Sequence, residues 1–160
     1  MTCVVVAGWV AACDPGSATS IYSPAITSIE LHNMGGAFTG DPPPPGCVLD
    51  TGTITLDTVA HALAWDRCVL VGQTAQISSG NRALTDGEWS ALVPKLEALV
   101  LVDDYSFCGV DTDQVIVTVK TAMATTDYSE SWHACQNKNK PLLDYNAVYG
   151  LESALVALAQ

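Results

Sequence analysis

Hydrophobic and polar residues alternate in several short windows, each with the two-residue period of a strand. Within 26–32, Ile29 and Leu31 fall on one face and Ser28 and Glu30 on the other. Segments 53–57 and 62–66 alternate around a turn near 58–61, so that Ile54, Leu56, Leu63 and Trp65 share a core face. A further strand is predicted over 69–77, ending at Ser78-Ser79-Gly80-Asn81. Val115, Val117 and Val119 then alternate with Ile116, Thr118 and Lys120. On the predicted partner strand, Tyr128, Glu130 and Trp132 alternate with Ser129, Ser131 and His133, after a turn near 122–126.

Two windows have helical spacing instead. Thr85-Asp86-Gly87-Glu88 reads as a capping box, in which Thr85 accepts from the amide of Glu88 and Glu88 reaches back. Behind it, Trp89, Leu92, Val93, Leu96 and Val100 form one stripe. Pro94 interrupts that stripe and predicts a kink or a late start, because proline lacks the amide hydrogen and crowds the preceding turn. A last helix is capped by Asp144 and carries Val148, Leu151, Leu155 and Leu158. The order predicts an α+β domain: a largely antiparallel sheet of about five to six strands, made of hairpins and packed with two helices.

The apolar run 4–12 ends in Val10-Ala11-Ala12-Cys13, which resembles the lipobox of bacterial lipoprotein signals. The resemblance implies that residues 1–12 are an address and that the mature chain begins at a lipid-bearing Cys13 in the cell envelope. Met1-Thr2-Cys3 lacks the basic flank of such signals, which a start codon assigned too late would explain. The competing reading is a buried strand through Val4-Val5-Val6. The run is shorter than the roughly 20 apolar residues of a membrane-spanning helix, so lipid would be the membrane attachment. Residues 13–24 then form a flexible tether, and 25–160 a single domain.

Export changes the reading of the cysteines. Outside the signal there are four, Cys47, Cys68, Cys108 and Cys135, which predict two disulfides with three connectivities open. Cys47 and Cys68 flank the first hairpin and Cys108 and Cys135 the second, so the favoured pairs are Cys47–Cys68 and Cys108–Cys135. The four prolines of Asp41-Pro42-Pro43-Pro44-Pro45-Gly46 cannot join a central ladder and predict a stiff surface loop.

Charge narrows the partners. The chain has 17 Asp and Glu against six Lys and Arg, a net charge of −11, with its basic residues scattered. Binding to nucleic acid or to anionic lipid needs clustered positive charge and is disfavoured. No P-loop, G-x-G-x-x-G or G-x-S-x-G sequence occurs, so neither a nucleotide, another cofactor nor a serine nucleophile is expected. His32, His61 and His133 fall on three predicted strands without a zinc-site pattern, and they read as ordinary surface or turn histidines. The acidic stretch Asp103, Asp104, Asp111 and Asp113 reads as a solvated helix-to-strand loop, because the EF-hand spacing is absent. His133 and Cys135 share a face of the predicted strand, but a paired cysteine is no nucleophile. No catalytic and no metal-binding residue is assigned.

Two resemblances cover more of the chain. Trp65-Asp66-Arg67-Cys68, Arg82 through Trp89, Cys108-Gly109-Val110-Asp111 and Tyr128 through Gln136 together resemble small uncharacterised lipoproteins of myxobacterial type. That resemblance implies an envelope location and no specific activity. In element order the chain also resembles emfourin-like protease inhibitors, which open with a strand into a Gly-Gly-Phe-x-Gly segment. Here Gly35-Gly36-Ala37-Phe38-Thr39-Gly40 departs by the inserted Ala37, so no inhibitory residue carries over. The expected function is that of a non-enzymatic, lipid-anchored envelope domain in contact with another macromolecule. The alternative is an inhibitor of a secreted protease, with Phe38, Pro43 and Pro44 as contacts. A small hydrolase using Asp103, Asp104 or His133 is the third reading.

Overall fold

A computed structural model describes residues 19–34, 47, 51–72, 74–106, 108–109, 114–136 and 138–160. The lipobox expected to end at Cys13 and the expected contact residues Phe38, Pro43 and Pro44 lie outside the described residues.

The chain forms β1 (Ile26–Met34), β2 (Thr51–Asp57), β3 (Ala62–Val71), β4 (Thr74–Ala83), α1 (Asp86–Glu97), β5 (Leu101–Val102), β6 (Val115–Thr121), β7 (Thr125–Glu130), a 3-10 helix (Ser131–Gln136), β8 (Leu142–Leu143) and α2 (Tyr145–Leu158). All eight strands join one sheet, in the order β4-β3-β2-β1-β6-β7-β8-β5. Neighbours are antiparallel except β7 and β8, which run parallel. The architecture is the expected α+β, but among the described residues the sheet is mixed and has eight strands rather than five or six, and there are three helices.

The added strands have physical causes. Segment 69–77 is not one strand. A turn at Gly72, where φ is +66°, splits it, so that Val69 pairs with Gln76 and Leu70 with Ala75 across the β3–β4 hairpin. Left-handed backbone of this kind is open to glycine because no Cβ collides with the chain. β5 and β8 are two residues each, too short to show any alternation. They exist because the end of α1 delivers Leu101 and Val102 beside Leu143 and Leu142.

The remaining pattern positions the core. Ile29, Leu31, Ile54, Leu56, Leu63, Val117 and Val119 face one side of the sheet and form one buried cluster with Leu92 and Leu96 of α1 and Val148, Leu151 and Leu155 of α2. Helix α1 begins at its capping box and contains Pro94, and Val100 lies beyond it in a bridge to Ser20. Asp144 caps α2 by accepting from Ala147 N. The imidazole of His61 stacks on Trp89, with centroids 3.9 Å apart.

The described end of the expected tether is bound, not free. Ile21 N donates to Leu99 O at 2.9 Å, and both Ile21 and Tyr22 pack on the core cluster. The polar run before Ile21 conceals this apolar pair, whose burial offsets the entropy of ordering the segment. Partnering across β7 also stops early. The chain leaves the strand after Glu130, and Trp132, His133 and Cys135 lie in the 3-10 helix instead of alternating on a strand. Disulfides join Cys47 to Cys68 and Cys108 to Cys135, with Cα–Cα separations of 5.0 and 5.2 Å.

Candidate functional site

The segment after β7 is held from several sides. Glu130 is fully buried and His133 is 3% exposed. The Glu130 carboxylate accepts the backbone N–H of His133 at 3.1 Å through Oε2 and contacts His133 Nδ1 through Oε1. In a 3-10 turn the early amides lack backbone partners, and this carboxylate satisfies one of them from inside the domain. On the far side, Gly109 N donates to Trp132 O at 2.7 Å and Gln136 Nε2 donates to Gly109 O at 3.3 Å. The Cys108–Cys135 disulfide ties the same two segments together.

This fixed segment forms one wall of an open cleft of about 420 Å³. Ser131 and Trp132 come from the 3-10 helix, Val102 and Asp104 from the end of β5 and the loop after it, and Asp144, Tyr145 and Asn146 from the start of α2. Ser131 Oγ accepts the Tyr145 N–H at 3.1 Å, which joins two of the walls. The rings of Trp132 and Tyr145 are in contact, with centroids 5.2 Å apart, and Tyr145 in turn touches Tyr149 at 4.4 Å. Both carboxylates are oriented through one oxygen. Asp104 Oδ1 accepts from Ser106 N at 2.9 Å and from the Ser106 hydroxyl, and Asp144 Oδ1 accepts from Ala147 N at 2.9 Å. Among the described residues no bond falls on Oδ2 of either. The bonds from Ser106 hold the Asp104 carboxyl below the usual carboxylate range, so it is charged at neutral pH.

The structure separates the acid–base candidates. Asp104 lines the cleft, Asp103 is exposed outside that lining, and His133 lies buried against Glu130. A general base must reach the proton it removes, and His133 does not line the cleft. His133 is therefore not the ordinary surface or turn histidine expected from its predicted strand. His32 is exposed on β1, with Nδ1 3.2 Å from Thr53 Oγ1, and His61 sits in the β2–β3 turn. Asp111 and Asp113 lie outside the described residues. Among the described residues no group of three or more His, Cys, Asp or Glu side chains is placed to hold a metal ion. Among the same residues no helix is long and apolar enough to cross a membrane.

Sequence reasoning missed both the Glu130–His133 pair and the cleft. The three-residue spacing from Glu130 to His133 was the available signal, but a strand assignment places those two residues on opposite faces. Comparison with protein-family models, curated proteins and solved structures returns no match.

Proposed function

We propose that the chain is an exported, non-enzymatic domain, tethered to a membrane of the cell envelope by lipid on Cys13, which acts by contact with another macromolecule. The observation that carries this reading is the pair of disulfides, Cys47–Cys68 and Cys108–Cys135, each flanking a hairpin. Bonds of this kind persist in oxidising, extracytoplasmic compartments and are rare elsewhere. The cleft between the 3-10 helix and α2 is the proposed contact surface. Its volume falls within the roughly 300–1,000 Å³ typical of binding pockets. Cys13→Ser should move the protein from the membrane fraction to the soluble fraction and abolish labelling by a radioactive fatty acid. Unchanged fractionation of that variant would overturn the anchor.

A second reading, inhibition of a secreted protease, is favoured by element order. Strand β1, hairpin β2–β3, α1, hairpin β6–β7 and α2 follow one another as in the emfourin-like layout, with β4 added. Phe38, Pro43 and Pro44 would supply the contact. Full chain in micromolar excess should then slow at least one extracellular metalloprotease, and a panel left untouched would remove this reading.

A further inference from the structure

We infer that the open edge of β4 is a self-association surface, to which a second copy of this chain adds its own β4, antiparallel, across a two-fold axis. The inference goes beyond the tethered-domain reading, and only its last step, confinement on a membrane, rests on that reading.

The two edges of the sheet are finished differently. At one, β5 has only two residues, and the segment before β1 runs along it. Leu101 N donates to Thr19 O, Ser20 bridges Val100, and Ile21 N donates to Leu99 O. At the other, β4 spans ten residues and pairs with β3 along its whole length, and among the described residues with no other strand. Protein sheets guard such edges with lysine, proline, a bulge or brevity. Segment 74–83 has no lysine, no proline and no shift of register against β3.

The ladder shows which groups are open. Leu84 N donates to His61 O, so Ala62 and Ala83 face each other as a non-hydrogen-bonded pair. Alternation from there turns the even-numbered residues of β4 towards β3 and the amides and carbonyls of the odd-numbered ones away from the sheet. The Ala83 carbonyl is taken by Arg82 Nη1. The open set is therefore Ala75, Ile77, Ser79 and Asn81, which is symmetric about Ser78. In a two-fold antiparallel pairing centred on Ser78, Ile77 faces Ser79 of the second copy and Ala75 faces Asn81. Each of these open amides and carbonyls then finds a partner.

A second copy suits this edge better than an unrelated peptide. Its strand is already extended and held by its own β3, so little entropy is lost on pairing. β4 has no acidic residue, so two chains of net charge −11 meet where neither strand adds a negative charge. On the sheet face away from the helices, Ile77 is 58% and Leu70 55% exposed. Pairing sets the Ile77 side chains of the two copies diagonally across from one another and removes apolar surface from water. A junction of one strand from each copy is a small interface, so association in solution is weak. Chains tethered to one membrane meet at a much higher effective concentration, where weak pairing suffices.

The test is sedimentation equilibrium of the full chain, with nonionic micelles in excess so that no two chains share one, together with amide hydrogen exchange. The wild type should dimerise reversibly with a dissociation constant of about 100 µM. The Ile77 and Ser79 amides should exchange about twofold more slowly at about 300 µM chain than at about 10 µM. Ser79→Pro removes an outward amide and leaves the bonds to β3 in place, and Ile77→Lys sets a charge beside its symmetry mate. Each should weaken dimerisation at least about tenfold. Should the proline variant fail to fold, Ile77→Lys decides alone. Met123→Lys, in the exposed turn between β6 and β7, should leave association unchanged. A monomer throughout the range, association untouched by the edge variants, association lost equally in Met123→Lys, or exchange at Ile77 and Ser79 independent of concentration would each overturn the inference. None of these results bears on release by Cys13→Ser, so failure here and failure of the tethered-domain reading are told apart by different measurements.

Discussion

Glu130 and His133 are bonded to each other in the interior of the domain, where the carboxylate meets both the imidazole Nδ1 and the backbone amide of the same residue. The pair sits where the strand pattern ends. By accepting the amide of His133, Glu130 supports the 3-10 turn that carries Ser131 and Trp132 to the cleft. A buried polar pair is costly to desolvate and is kept only when its members satisfy one another. Here that satisfaction sets the backbone path of a surface site.

Removing one member should therefore be expensive. Glu130→Ala strips two hydrogen-bonding groups of His133 of their carboxylate, and loss of one partner from a buried pair costs about 3–5 kcal/mol. Glu130→Gln keeps an acceptor for the amide and should cost less. Urea unfolding followed by far-UV circular dichroism measures both. A loss below about 1 kcal/mol for Glu130→Ala would show that the 3-10 turn stands without it.

A second expectation concerns acid. Arg82 Nη2 donates to Glu88 Oε1 at 2.8 Å and Nη1 to Oε2 at 3.1 Å, while the Thr85 amide and hydroxyl also donate to Glu88. The Arg82 bond first, then those from Thr85, lower the Glu88 pKa from 4.5 to about 2. The folded value lies below the unfolded one, so the stabilisation is complete above 4.5 and is lost as pH falls towards 2. The difference in melting temperature between the wild type and Glu88→Gln should be constant near neutrality and should shrink across that window. Because both side chains are about 30% exposed, added salt should reduce it as well. A difference independent of pH would show that Glu88 acts through its shape and not its charge.

How much of this was legible in the chain depends on the length of each signal. The alternation of Ile54 and Leu56 against Leu63 and Trp65 is long enough to set a register, and those residues pair as Ile54 with Trp65 and Leu56 with Leu63. Thr85 and Glu88 announce α1 because a capping box is a local device, complete in four residues. The turn at Gly72 is not legible because a single glycine after Val69-Leu70-Val71, without a second turn residue beside it, leaves segment 69–77 reading as one strand. Leu101-Val102 and Leu142-Leu143 carry no periodicity at all, and they become strands only once the helices place them side by side. The cleft was illegible for the same reason: Asp104, Trp132 and Tyr145 come from three segments far apart in sequence, and only tertiary structure gathers them.

The disulfides give a third expectation. They close loops with sequence separations of 21 and 27, and restricting the unfolded chain over such loops contributes about 3 kcal/mol each. Cys47→Ala with Cys68→Ala should lower stability by about that amount, and Cys108→Ala with Cys135→Ala should do so as well and also loosen the cleft wall. Denaturant midpoints with and without reductant give the magnitudes, and broadened Trp132 resonances in the second variant alone would report the local effect. Equal broadening in both would mean that neither bridge acts locally.

A last expectation separates packing at the cleft from packing elsewhere, using two glycines in unlike surroundings. Gly109 is buried, and the Trp132 indole lies against it so closely that a Cβ there would overlap the ring. In Gly109→Ala either the ring or the backbone must move, and overpacking of this sort costs about 1–3 kcal/mol. Because Trp132 lines the cleft, the displacement should also change its indole resonance. Gly150, within α2, has open space where its Cβ would be. Gly150→Ala should therefore gain up to about 1 kcal/mol from helix propensity and leave the Trp132 resonance in place. If both substitutions moved that resonance alike, the close approach of Gly109 to Trp132 would not be what shapes the cleft.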